Sequence, residues 1–271
     1  MKTLKLPTIF TVLFSFSFYV NAAPKSNSPE WCEVQWRAES SSLDIDSAQS
    51  SNIVERWEMH RKNCESTTVF ESRLAMAYAL SGQFEKARKV VQSIDAHQTK
   101  YQYLAAFSGV VVDYLSTYSQ KTIHEADVLK IKEKLLAYVS KYPDFPDAQG
   151  LLGGIQSFLG DHKAAIGSLE RAKNTTMDAS GVYRNLAISY AEVGRYQEAI
   201  GAADTAYGMK KTLTSDQYFM YALAKANAGE GDFKAAENAL RVIAAKKPEV
   251  RRDPNFKEAV DFVIAKSNAS Q

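Results

Sequence analysis

The chain has 271 residues, of which 45% are hydrophobic and 24% charged, with a formal net charge of +2. That balance suits a packed protein and excludes a disordered one, and it lacks the basic excess by which nucleic-acid binders displace counterions. Only two cysteines and four histidines occur, too few for a disulfide-dense framework or a histidine-rich metal site.

Residues 1–22 read as a cleavable export signal. Lys2 and Lys5 precede an apolar run from Ile9 to Val20, and Val20 and Ala22 supply the small residues of a cleavage site. The run is shorter than the ~20 apolar residues of a spanning helix and is interrupted by serines. Cleavage is expected after Ala22, because cutting one residue later would leave Pro24 first. No cysteine is near the cut to carry a lipid. Removal of the segment leaves basic and acidic residues equal in number at 31. A neutral mature chain argues against a nucleic-acid partner and against steering to anionic lipid. No other segment is apolar enough to cross a bilayer, so no stable membrane insertion is expected and a periplasmic or secreted product is.

Residues 23–30 form a linker rich in Pro, Ser and Asn, and residues 31–66 an N-terminal helical cap with segments around Trp31–Glu39 and Ala48–Cys64. Ile53, Trp57 and Cys64 are spaced to share a face. In an oxidising compartment Cys32 and Cys64 read as a disulfide that ties the first segment to the second. Closing that loop is worth about 3 to 4 kcal/mol in the chain-entropy model. The alternatives are two unpaired thiols, or a metal site with His60 one turn from Cys64. The metal site lacks a fourth ligand and any CxxC.

Residues 67–250 repeat. Leu152, Gly160, Ala165 and Ala172 align with Leu186, Gly194, Ala199 and Ala206, each pair 34 residues apart. Tyr183, Leu186, Ala187 and Tyr190 make one apolar stripe of a helix, Gly194 ends it, and Tyr196, Ala199, Ile200, Ala203 and Ala206 restart the same spacing on a second. A glycine past a helix end can adopt the left-handed conformation without a Cβ clash. Residues 251–271 close the chain. Asp253 before Pro254 is a helix start, Phe256, Ala259, Val260 and Val263 share one face, and Ser267–Gln271 reads as a polar tail.

The unit from Ser180 to Leu213 resembles the tetratricopeptide repeat (TPR) family, in an exported bacterial form, through Leu186, Ala187, Tyr190, Gly194, Tyr196, Ala199 and Ala206. The preceding unit keeps Leu152, Gly153, Gly160, Ala165 and Ala172 but has Gln156 and His162 where aromatics are usual. A later one keeps Leu223, Ala224, Gly231, Phe233, Ala236 and Pro248, with Asn227 for Tyr and a longer loop over Thr212–Asp216. An early unit at Thr68–Tyr101 shows Leu74, Ala75, Tyr78, Gly82, Phe84 and Ala87. Between them, Gln102–Phe145 is a degenerate unit whose join at Gln120–His124 lacks the glycine. The resemblance implies an all-α, TPR-like helix-turn-helix solenoid of about five units, capped by helices at both ends.

No nucleophile, base and metal-ligand set converges in the sequence, so no catalytic residue, metal or cofactor is expected. His124 and Glu125 begin like a zinc-protease helix, but Val128 stands where the second His belongs. Glu71-Ser72 and Glu65-Ser66 resemble the Glu-Ser start of lytic transglycosylases without the domain that follows it there. Asn174 and Asn268 head glycan-acceptor triplets that matter only in a eukaryotic secretory pathway.

What the resemblance implies instead is a partner protein or peptide on a concave face lined by the first helices. By registration that face carries Met76, Gly150, Gly154, Phe158, Arg184, Ile188, Tyr218, Tyr221 and Lys225, with the two glycines leaving a recess. Only Asn185 matches the family's carboxylate clamp, since Gly150, Gly154 and Tyr218 replace its polar partners, so terminal-carboxylate recognition is not expected. The function implied is an exported adaptor or assembly factor for a cell-envelope or secretion complex. A self-oligomerising scaffold, and a cell-wall glycan binder or hydrolase, remain as alternatives.

Overall fold

The computed structural model describes residue 32 and residues 50–64, 67–94, 102–120, 122–173 and 179–270. The expected export signal, the linker, the helix around Trp31–Glu39 apart from Cys32, the glycan triplet at Asn174 and Glu65-Ser66 lie outside these residues, as does the side chain of Ile53.

Among the described residues there are twelve α-helices and no strand. They are α1 (Ser50–Asn63), α2 (Thr68–Leu80), α3 (Phe84–Ser93), α4 (Gln102–Tyr118), α5 (Glu125–Lys141), α6 (Pro146–Phe158), α7 (His162–Ala172), α8 (Ala179–Glu192), α9 (Tyr196–Met209), α10 (Gln217–Gly229), α11 (Phe233–Lys246) and α12 (Pro254–Ala269). The chain is an all-α, TPR-like solenoid. Each even-numbered helix from α2 to α10 packs against the odd one that follows it, and α2 on α4, α6 on α8, α8 on α10 and α10 on α12 form a column. The sixth even helix, α12, lies against α10 and α11 and closes the stack, running to Ala269 through part of the stretch expected as tail.

One turn recurs four times. Gly82, Gly160, Gly194 and Gly231 all have φ between 76° and 84°, a region that only glycine enters without strain. After each, the next amide reaches back over the glycine to a carbonyl five residues earlier: Gln83 to Tyr78 at 2.8 Å, and Asp161 to Gln156, Arg195 to Tyr190 and Asp232 to Asn227 at 2.9 Å. That bond satisfies a carbonyl the helix end would leave unpaired. The next helix starts within two residues of the glycine, so the two helices of a unit must fold back on each other.

Close approach follows from small residues. Ala199, Ala203 and Ala206 on α9 are buried, as are Ala187 on α8 and Ala224, Ala226 and Ala228 on α10. Gly153 is tighter still, since a Cβ there would sit 2.5 Å from Leu169 Cγ, so α6 and α7 meet at a point with no room for a methyl group. At Gly229 an added Cβ would lie 2.2 Å from the Tyr196 ring. The ring that opens α9 therefore lies flat on the last turn of α10.

Departures from the repeat pattern are matched by partners. Gln156, where an aromatic is usual, is buried and accepts from Ser168 Oγ at 2.9 Å within its own unit. Asn227 donates to the Leu223 carbonyl at 2.9 Å. The lengthened loop after α9 is a 3₁₀ turn over Lys211–Ser215 that buries Leu213.

The degenerate unit is two 17-residue helices, α4 and α5. Here the joining rule changes. Backbone contact between α4 and α6 is sparse, and rings fill the gap. Phe107 packs edge-on to Phe145 at 5.0 Å and tilted to Tyr138 at 5.6 Å, while Tyr103 lies edge-on to Phe145 at 5.4 Å. Tyr138 donates its hydroxyl to the Tyr103 carbonyl at 2.8 Å, tying α5 to α4.

At the N-terminal end, Cys32 and Cys64 are joined in a disulfide, with Cα atoms 5.9 Å apart. Trp57 on α1 is fully buried, its ring 5.2 Å from Phe70 on α2. Among the described residues no helix is long and apolar enough to cross a membrane.

Candidate functional site

The even-numbered helices present one continuous face, and every position expected to bind a partner lies on them. Arg73 on α2 feels Asp147 on α6 and Tyr103 on α4, and burial, the main influence on it, lowers its pKa.

The apolar part of the face is on α4 and α6. Phe158, at the end of α6, is 57% exposed and stands edge-on to Tyr118 at 5.7 Å, and Tyr118 lies 4.5 Å from Tyr114. Gly154 is one turn back from Phe158. A Cβ there would approach Asn185 Nδ2 to 3.1 Å, so the glycine gives α8's amide room beside α6. Gly150 is half-buried on the same helix, as are Met76 on α2 and Ile188 on α8, which pack against the adjoining core.

The polar part is on α8, α10 and α12, and its groups bind one another across layers. Arg184 donates from Nε and Nη2 to both oxygens of Asp216 at 2.6 and 3.0 Å, and from Nη1 to Asn185 Oδ1 at 2.6 Å. Asp216 also accepts from the Phe219 amide at 3.1 Å, capping α10. The same aspartate thus starts one helix and holds the previous layer. Asp253 does this one layer on, accepting from the Asn255 amide at 2.9 Å, the Tyr221 hydroxyl at 3.2 Å and Gln217 Nε2 at 3.0 Å. Where Asp216 receives a guanidinium, Asp253 receives neutral donors.

Lys225 joins three layers. Its ammonium donates to both oxygens of Glu192 at 2.9 and 3.0 Å and to Glu258 at 2.7 Å. Burial alone would lower its pKa, but the hydrogen bonds to Glu258 and Glu192 outweigh it and the net shift is upward. Beside this group, His162 lies 3.5 Å from Ser189 Oγ, and Ser189 donates to Ser157 Oγ at 3.0 Å. Burial holds the His162 pKa below its ordinary value, against the pull of Glu192.

Of the expected face residues, Phe158 and Tyr218 are the open ones. Tyr218 is 50% exposed, while Tyr221 beneath it is buried between Tyr218 and Phe256. Arg184 and Lys225 are structural ties between layers as well as face residues. Tyr118, Glu192, Asp216, Asp253 and Glu258 belong to the face and were missed in the sequence. Glu192 was within reach, because it stands 34 residues after Phe158. Asn185, the lone clamp-like residue, is engaged with Arg184.

Among the described residues no group of three His, Cys, Asp or Glu side chains could hold a metal ion. Glu71 is buried and pairs with Arg61 of α1 at 3.4 Å.

Neither the known family models nor the curated proteins match this chain. Among solved structures it is similar to MamA of AMB-1, at 17% identity and a TM-score of 0.46 over 67% of this chain and 92% of that one. It is also similar to MamA of MSR-1, at 17% identity and a TM-score of 0.44 over 72% of this chain and 95% of that one. The assignment as a TPR-like solenoid rests on the chain's own helices, its 34-residue period and its four identical turns.

Proposed function

We propose that this protein is an exported, non-enzymatic adaptor or assembly factor of the cell envelope that binds a partner protein or peptide on the face of its even-numbered helices. The observation that carries the reading is the exposed Phe158 ring, with the partly buried Tyr118 edge-on to it, beside the polar ladder of α8, α10 and α12. Large apolar side chains left half in water beside fixed charges are the composition of a binding surface. A periplasmic location fits the basic, apolar and small-residue order of the first 22 residues and the disulfide.

A photo-crosslinking residue at Tyr218, with another at Leu129 on α5, tests the assignment in living cells. Tyr218 is the better handle than Tyr221, which is buried. Capture of one dominant protein from Tyr218 and none from Leu129 supports it. Capture from Leu129 alone overturns it.

One observation favours a second reading. Leu129 and Leu136, seven residues apart on α5, are both exposed and form a narrow apolar stripe away from the binding face. A self-associating scaffold would use such a stripe, and light scattering of Leu129→Glu against the wild-type chain separates the two.

A further inference from the structure

The proposed face is chemically lopsided, and the imbalance specifies its occupant. At α6 it offers rings. Phe158 is mostly in water with Tyr118 edge-on to it, and Gly154, one turn back, leaves its space to the Asn185 amide. From α8 through α12 it offers more negative than positive charge. Glu192 and Glu258, with side chains 31% and 66% exposed, share the single ammonium of Lys225, which is 11% exposed. One negative charge is therefore left over, and it lies on the solvent side because the ammonium is the buried member.

Among the described residues neither glutamate has a second ion-pair partner. His162, at the start of α7, has its pKa lowered by burial against the pull of Glu192, and Lys132 is paired with Asp161 at 3.6 Å. The Ser189 to Ser157 hydrogen bond fixes α8 against α6, so the aromatic and acidic parts are neighbours on one rigid surface. A ring edge-on to solvent takes an apolar side chain, and its face also attracts a cation.

We propose that the occupant is an extended segment of a partner protein in which a large apolar residue is followed within a few residues by lysine or arginine. The apolar side chain lies on Phe158 beside Tyr118, and the cation completes the charge of Glu192, Lys225 and Glu258. This rests on the reading of the even-helix face as the partner site. It adds which sequences that face selects, since an acidic residue at the second position meets the unmatched carboxylate and is repelled.

The test uses the full mature chain and fluorescein-labelled, end-blocked Gly-Ser peptides carrying one Phe and, one to four residues later, Lys, Ala or Glu, read by anisotropy. The Phe/Lys peptides are expected to bind roughly tenfold more tightly than the Phe/Glu ones in low salt, with the preference falling as salt screens it. Glu258→Gln leaves Lys225 its Glu192 partner and removes the surplus charge. It is expected to reduce Phe/Lys binding by about fivefold and to leave Phe/Ala binding within about twofold. Phe158→Ala, at an exposed position, is expected to weaken all three, with unchanged thermal unfolding as the check on folding. Equal binding of the Lys and Glu peptides, no saturable binding of the Phe/Lys peptides up to about 1 mM, or a preference that survives Glu258→Gln would each overturn the proposal. Tyr218 crosslinking separates this from failure of the site itself. A captured partner whose contacting segment has no basic residue sinks the specificity and leaves the site standing.

Discussion

The layers from α6 to α12 and the layer made by α4 and α5 have the same helix-pair plan and reach it by opposite means. In the first, glycine turns and buried alanines bring helix axes together until a side chain of one helix rests on the bare backbone of the next, Leu169 at Gly153 and the Tyr196 ring at Gly229. In the second there is no glycine turn, the helices are longer, and Phe107, Tyr138, Tyr103 and Phe145 fill the space that close approach would have removed. Volume is conserved in both cases, either by few atoms at short distance or many at long distance. A repeat can thus lose its sequence signature and keep its place in the stack.

If that is the difference, the two regions should fail in opposite directions. The largest expected effect is from Phe107→Ala, which would open a cavity beside Tyr138 and Phe145 and cost about 3 to 5 kcal/mol in denaturant unfolding. In the alanine layers the change that tests close approach is enlargement. Ala203→Leu and Gly229→Ala should each cost about 1 to 3 kcal/mol, the second because Tyr196 cannot leave without losing its place on α10. Tolerance of Ala203→Leu together with intolerance of Phe107→Ala would show that both regions pack by filling space and would break the comparison.

Smaller effects come from the ties between layers. Asp216→Ala removes a helix cap and the anchor of Arg184, for an expected loss of about 1 to 2 kcal/mol. Burial works against ionisation of Asp216, yet the hydrogen bonds and charge of Arg184, with the Phe219 amide, hold its carboxyl below its ordinary 3.8. A pKa depressed by folding contributes stability that is whole above that ordinary value and lost as pH falls through the folded one. The stability gap between wild type and Asp216→Asn should therefore be constant near neutral pH and close in acid below about 3.8. A gap that persists at the lowest pH would mean that the residue acts by shape alone. Smallest of all, Ala187→Gly should cost about 1 kcal/mol, from added backbone freedom and the loss of one buried methyl group.

The sequence carried the fold further than the site. Helix pairing, the four turning glycines, the cap at Asp253 and the disulfide were all legible, because each depends on residues a few positions apart or on a fixed period. Helices α4 and α5 were legible from apolar spacing alone. The ring cluster between them was not, because Tyr103 lies 35 residues from Tyr138, and nothing local marks them as neighbours. The face residues could be placed but not their state. Tyr221 and Lys225 fall where registration puts them, and both are buried under bonds to Asp253, Glu192 and Glu258.

What the amino-acid order determined by itself was the repeating unit, since a helix stripe, a glycine with positive φ and a second stripe are instructions that act within one unit. Only the tertiary structure decided which charges on the face are spent and which are left over. Partners such as Arg184 and Asp216, or Lys225 and Glu258, are 32 or 33 residues apart on different layers. Whether they touch depends on how each layer rotates on the last, and that rotation is fixed by the summed shape of the buried side chains rather than by any short run of sequence.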